Sequence, residues 1–173
     1  MVLDFITARD YNLMRRVHRW PAPRWIRVWM ICATRGGDGW LWYAMGIVIL
    51  LFGGPERFAA VGTAAVAAGL GIALFLLLKK RTGRQRPCAI EPHCWAKLLP
   101  PDRFSFPSGH TITAFAVALS LGAFYPGALP GLLFCAASVA LSRILLGMHF
   151  LSDVVAGAAI GSGLACGAVW LLR

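Results

Sequence analysis

Six residues carry side chains suited to holding a phosphate and cutting it from something: Lys79, Arg86, Arg143, His110, His149 and Asp153. They fall in three short stretches. Lys79 runs through to Arg86-Pro87, Pro107-Ser108-Gly109-His110 stands alone, and Ser142-Arg143 is trailed by His149 and Asp153. Arg86 and Arg143 each offer a planar fork to two phosphate oxygens, and Lys79 adds a point charge. Ser108 beside Pro107 is a natural helix cap, and Gly109 lets an anion approach backbone amides where the helix dipole favours it. His110 points a titratable imidazole at that pocket. His149 and Asp153, four residues apart, share one face once a helix has begun. A carboxylate on one ring nitrogen fixes the tautomer and leaves the other nitrogen free as a nucleophile.

The elements that must position these groups are membrane helices. The 173-residue chain is 58% hydrophobic and 14% charged, with mean hydropathy +0.67, against about 25% charged residues in a soluble domain. Residues 39–55, 58–78 and 154–172 carry no charge, and 104–142 is broken only by His110 and Tyr125-Pro126-Gly127. Runs of about 17–25 apolar residues cross a bilayer as helices. The pattern predicts an all-α, polytopic membrane bundle with helices at roughly 38–54, 58–79, 108–124, 128–147 and 151–172. Residues 2–20 place Leu3, Ile6, Leu13, Met14, Val17 and Trp20 on one helical face, and residues 25–32 are apolar but short, with Arg27 among them. Residues 1–37 are therefore expected to lie along the interface and 38–173 to form the membrane-embedded domain. The start lacks the sustained apolar core of a secretory signal.

Five crossings bring the motifs together. The second helix ends at Lys79, the third begins at Ser108–His110 on that same side, the fourth returns to it at Arg143, and His149–Asp153 opens the fifth. Gly62, Gly69, Gly71, Gly157 and Gly161 are expected to let helix backbones approach. Lys80, Arg81 and Arg84 are expected to be snorkelling anchors. Asp4, Asp10 and Glu56, among only seven acids, lie far from the motifs in sequence. That leaves too few carboxylates for a two-metal site, and a histidine mechanism without metal or other cofactor fits better. The net charge of +10 is read as contact with anionic headgroups rather than nucleic acid.

Lys79-x6-Arg86-Pro87, Pro107-Ser108-Gly109-His110 and Ser142-Arg143-x5-His149-x3-Asp153 resemble, in order and placement, the three signature motifs of the type 2 phosphatidic acid phosphatase family. Gly37-Asp38-Gly39 also resembles small bacterial members. The resemblance implies a metal-free phosphatase of lipid phosphates or diphosphates, commonly with six membrane helices. It implies that His149 attacks phosphorus with Asp153 orienting it, and that His110 protonates the leaving oxygen and then activates water. Lys79, Arg86, Arg143, Ser108 and the Gly109 amide would hold the phosphoryl oxygens. Undecaprenyl diphosphate, phosphatidate and phosphatidylglycerophosphate all suit such a site. A lipid-to-lipid phosphotransferase would use the same residues. A non-catalytic module binding anionic lipid would not need His149. A vanadate-dependent haloperoxidase would share the pocket, but those proteins are soluble.

Sidedness pulls two ways. Of 17 lysines and arginines, all but Arg57 and Arg173 fall on the motif side, which by the positive-inside rule faces the cytoplasm. The resemblance implies a periplasmic site on the bacterial inner membrane. In that compartment Cys88 and Cys94, in the polar loop between the first two motifs, could close a small disulfide. Cys32, Cys135 and Cys166 read as core thiols.

Overall fold

The computed structural model describes residues 2–90 and 103–173. Cys94, and with it the Cys88–Cys94 pairing, lies outside the described residues. Among these the fold is all-α, with one isolated β-bridge between Gln85 and Phe104. The predicted membrane bundle is present. Helices α3 (Trp40–Phe52), α4 (Arg57–Thr82), α6 (Gly109–Phe124), α7 (Leu129–Leu145) and α8 (Leu151–Leu172) stand where the apolar runs place them. A four-residue helix α5 (Pro87–Ile90) follows α4, and a 3-10 turn at Pro126–Ala128 marks the expected break. α4, α7 with its preceding turn, and α8 are long and apolar enough to cross a bilayer; α3 and α6 are shorter.

The bounds differ from the apolar runs where local chemistry stops a helix. α3 begins only after Gly39 and stops at Gly53, ahead of Gly54-Pro55. α7 ends at Leu145 because Gly147, at φ +65°, turns the chain through the left-handed region that glycine alone enters cheaply. That turn presents His149.

α6 is the centre of the bundle, packed against α4, α7 and α8. Its Ala114, Ala116 and Ala118 are fully buried, so neighbouring backbones come close. A Cβ on Gly157 would lie 2.8 Å from the Ser108 carbonyl oxygen, and one on Gly161 would lie 2.3 Å from that of Ile112. These glycines let α8 rest directly on α6 and set the depth of the site. Gly71 packs likewise on Ile112, but Gly62 and Gly69 face open space, so the expectation of packing holds for three of the five. Outward-facing Leu70 and Leu77 on α4, Phe134 on α7 and Trp170 on α8 are exposed. A helix apolar on all sides is one that faces lipid.

The N-terminal helices α1 (Val2–Arg19) and α2 (Arg24–Gly37) are separated by Pro21-Ala22-Pro23, where proline cannot continue the ladder. α2 lies along α7 and buries Met30 beside Leu145, Leu146 and Met148. It thereby carries Thr34 and Asp38 to the end of the bundle where the motifs meet.

Candidate active site

Backbone hydrogen bonds stitch the three motifs into one unit. The Arg143 carbonyl accepts the N–H groups of both Met148 and His149 at 3.0 Å, and the Gly147 carbonyl accepts that of Cys88 at 3.0 Å. The Ser108 N–H donates to the Asp153 carbonyl at 3.1 Å. Arg86 spans the seam: its Nη1 donates to the Met148 carbonyl at 2.9 Å and lies 3.2 Å from His149 Nε2.

That last contact assigns the His149 tautomer. A guanidinium N–H can only donate, so Nε2 must be the accepting nitrogen and Nδ1 carries the proton. Nδ1 faces Asp153 Oδ2 at 3.7 Å, longer than a hydrogen bond. Such pairs tighten when the reacting group arrives. His149 is buried, and burial lowers its pKa to about 4; Asp153 opposes the shift, while Arg143 and Arg86 reinforce it. The ring is neutral at pH 7, with its Nε2 lone pair turned toward Arg86. Asp153 is fully buried, and its Oδ2 accepts the Phe150 N–H at 2.8 Å, capping α8.

Arg86, Gly109, His110, Arg143 and His149 line the polar end of a cavity of about 770 Å³. The remainder is apolar, with Trp42, Ile47 and Leu50 of α3 facing Ile72 of α4 and Val117 of α6. Ile47 and Ile72 are about half exposed (57% and 49%), so the cavity opens sideways between α3 and α4. The other three predicted site residues do not line it. Ser108 and Asp153 are fully buried, and the Ser108 hydroxyl accepts from Thr111 Oγ1 at 2.9 Å. Lys79 Nζ stands 4.7 Å from the Phe75 ring centroid. The Phe75 ring in turn covers Gly109, where a Cβ would meet it at 3.2 Å.

Sequence reasoning missed five residues. Asp38 Oδ1 pairs with His110 Nε2 at 2.7 Å, and Thr34 Oγ1 accepts from Arg143 Nη1. Gly37 makes room for the first contact, since a Cβ there would sit 2.8 Å from Val139 and 3.4 Å from His110. Arg84, expected to snorkel, instead binds Asp153 Oδ1 and Asp10 Oδ2, both at 2.6 Å. Asp10, remote in sequence, is thus part of the site's surroundings. Only Gly37 and Asp38 left a trace in sequence, as part of the Gly-Asp-Gly ahead of α3. Among the described residues, no three His, Cys, Asp or Glu side chains gather as metal ligands would.

An all-α membrane bundle with a histidine, two arginines and a second histidine around one lipid-side cavity defines a class of phosphate-handling membrane proteins. The chain belongs to the PAP2 superfamily, whose family model matches residues 60–173, as the three motifs led us to expect. It is 37% identical over 124 residues to a decaprenylphosphoryl-5-phosphoribose phosphatase of Mycobacterium tuberculosis, covering 72% of this chain and 66% of that one. It is 29% identical over 147 residues to a lipid A 1-phosphatase of Rhizobium johnstonii, covering 73% and 59%. The chain thus spans 66% and 59% of the length of these relatives, less than two thirds of either. The crystal structure of Aquifex aeolicus LpxE superposes with a TM-score of 0.76 at 26% identity, covering 92% of this chain and 94% of the other. The PAP2-type phosphatidylglycerolphosphate phosphatase of Bacillus subtilis shares the fold, with a TM-score of 0.74 at 21% identity and coverage of 96% and 85%.

Proposed function

We propose that the chain is an integral membrane hydrolase that removes phosphate from a lipid phosphate or diphosphate through a phosphohistidine. One observation carries this reading: His149, His110, Arg86 and Arg143 share the polar end of a cavity whose remainder is apolar, and His149 Nε2, the nitrogen without a proton, lies on that side against Arg86. A phosphate bound there would have its lipid chain in the slot between α3 and α4.

In the first step, His149 Nε2 attacks phosphorus. The P–N bond forms, the bond to the lipid oxygen breaks, and His110 gives its proton to that oxygen. Asp153 holds the Nδ1–H and balances the charge that develops on the ring. In the second step, water attacks phosphorus, His110 takes its proton, the P–N bond breaks and phosphate leaves. Arg86, Arg143 and the Gly109 amide neutralise the phosphoryl oxygens. Lys79 acts from the rim, and Ser108 holds the loop from behind. Asp38 keeps His110 aimed. No metal or other cofactor is needed for these steps.

The substrate reading is a polyprenyl-linked phosphate or diphosphate, supported by the mycobacterial relative, whose name specifies a decaprenyl lipid. The site is read as facing the periplasm from the bacterial inner membrane, with α1 and α2 along the interface. An impermeant maleimide applied to reduced, intact spheroplasts should then label Cys88 and Cys94; labelling only after lysis would reverse the orientation.

His149→Ala should abolish phosphate release while leaving the protein folded in detergent. His110→Ala should lose about 10²–10⁴-fold, and the double variant should be little worse than His149→Ala, because the two act as a unit. Release should be greatest on polyprenyl substrates in a panel that includes phosphatidate, phosphatidylglycerophosphate and lipid A. Substantial turnover by His149→Ala would end this reading.

A further inference from the structure

The carboxylate that orients the proposed nucleophile is itself held by two residues at none of the three motifs' fixed positions, Arg84 and Asp10. Asp153 is fully buried, and a buried carboxylate is tolerated only with a countercharge and filled lone pairs. Arg84 supplies the countercharge. Its Nη1 donates to Asp153 Oδ1 at 2.6 Å and to Ser152 Oγ at 2.7 Å, and its Nη2 donates to Asp10 Oδ2 at 2.6 Å. The guanidinium lies 4.2 Å from the centroid of the Phe150 ring, which fixes its plane. Asp10, 6% exposed on α1, closes the circuit by accepting the Ser152 N–H at 3.2 Å and the Ser152 hydroxyl at 2.5 Å.

Asp10, Arg84 and Asp153 therefore form a row of alternating charge that ends against the neutral His149 ring, with Asp153 Oδ2 3.7 Å from its Nδ1. Neither Arg84 nor Asp10 lines the cavity, and both are engaged with each other and with Ser152. The division of one guanidinium between two carboxylates has a chemical consequence. Paired with Asp153 alone, Arg84 would neutralise it and weaken its hold on the His149 Nδ1–H. Sharing with Asp10 leaves Asp153 enough negative charge to attract that proton across the 3.7 Å gap, while the fork keeps the carboxylate in place.

We propose that Arg84 and Asp10 are positioning residues for His149, and that α1, through Asp10, is a working part of the active site rather than only a surface helix. The inference rests on His149 being the nucleophile. It predicts that these residues change the chemical step and leave substrate binding alone.

The test uses the purified full chain in detergent micelles, with dioleoyl phosphatidate and para-nitrophenyl phosphate as probes. Asp10→Asn, Arg84→Gln, the double variant and His149→Ala are compared by kcat, KM and thermal unfolding. Charge-assisted bonds of this kind set the expected scale: Arg84→Gln should lose about 30-fold in kcat and Asp10→Asn about 5-fold, with KM within about twofold. Because Asp10 acts on Asp153 mainly through Arg84, with a smaller share through Ser152, the double variant should lose clearly less than the product of the two single losses. Should Arg84→Gln fail to fold, Asp10→Asn is made in an Arg84→Lys background. A lysine cannot fork to both carboxylates, so Asp10→Asn should cost less there than in the wild-type chain. Multiplicative losses, a raised KM with kcat intact, or wild-type kcat in both single variants would overturn the proposal. An inactive His149→Ala alongside unaffected Asp10→Asn and Arg84→Gln would sink this inference alone; an active His149→Ala would sink the mechanism beneath it.

Discussion

Asp38→Asn offers a sharp test of how the proposed acid is positioned. The Asp38–His110 contact is 2.7 Å long, with the carboxylate side chain 41% and the imidazole 23% exposed. A hydrogen bond to a charged group contributes about 1.5–3 kcal/mol. Water competes for a carboxylate this open, so the lower end applies, and about 1.5 kcal/mol is roughly a tenfold change in rate. Asparagine keeps the shape but loses the charge that holds the ring. The loss should depend on the leaving group, because an alkoxide needs the His110 proton and a nitrophenolate does not. Rapid-mixing measurement of the first turnover should show Asp38→Asn slowed about tenfold on dioleoyl phosphatidate and less than about threefold on para-nitrophenyl phosphate. Steady-state rates are less informative, since the later water step needs His110 with either substrate. Equal slowing on both probes would mean that Asp38 only supports the fold, and no slowing on phosphatidate would remove it from the mechanism.

The remaining predictions concern acid stability, helix packing and metal. Burial holds His149 at about 4 in the fold against an ordinary 6.5, so protons bind the unfolded chain first. Its contribution to stability is full above pH 6.5 and is lost as pH falls toward 4. The Tm should drop across that window, less steeply in His149→Gln; identical slopes would refute the assignment. Gly161→Leu drives a side chain into the Ile112 carbonyl at 2.3 Å and the Ala116 N–H at 3.1 Å, backbone that cannot swing aside. It should cost about 1–3 kcal/mol and lower kcat by moving α8, whereas Gly163→Leu, with nothing within 4 Å of its Cβ position, should do neither; equal Tm and kcat in the two variants would contradict the packing. Turnover should survive a strong chelator and be inhibited by vanadate competing for the phosphate pocket, and loss with EDTA reversed by magnesium would contradict a metal-free mechanism.

The sequence by itself determined the crossings and the meeting of the motifs. Charge-free runs locate helices because lipid accepts little else. Alternate crossings then return Lys79, His110, Arg143 and His149 to one side whatever the helices' rotation. Residue chemistry within each motif was legible for the same reason: the spacing of four between His149 and Asp153 is local, and local geometry is readable.

Tertiary structure decided what depends on rotation and depth. Asp38 meets His110 across 72 residues, Arg84 meets Asp10 across 74, and Thr34 meets Arg143 across 109. In helices apolar on every side, hydrophobic periodicity carries no signal of which face turns inward. The same blindness grouped Gly62 and Gly69 with Gly71, Gly157 and Gly161, although only the last three face a neighbour closely enough to need the missing side chain. It also left Arg84 reading like its lysine and arginine neighbours. An arginine at a helix end snorkels or pairs according to whether a buried carboxylate stands within reach, and the packing of α1 and α8 alone puts Asp10 and Asp153 there.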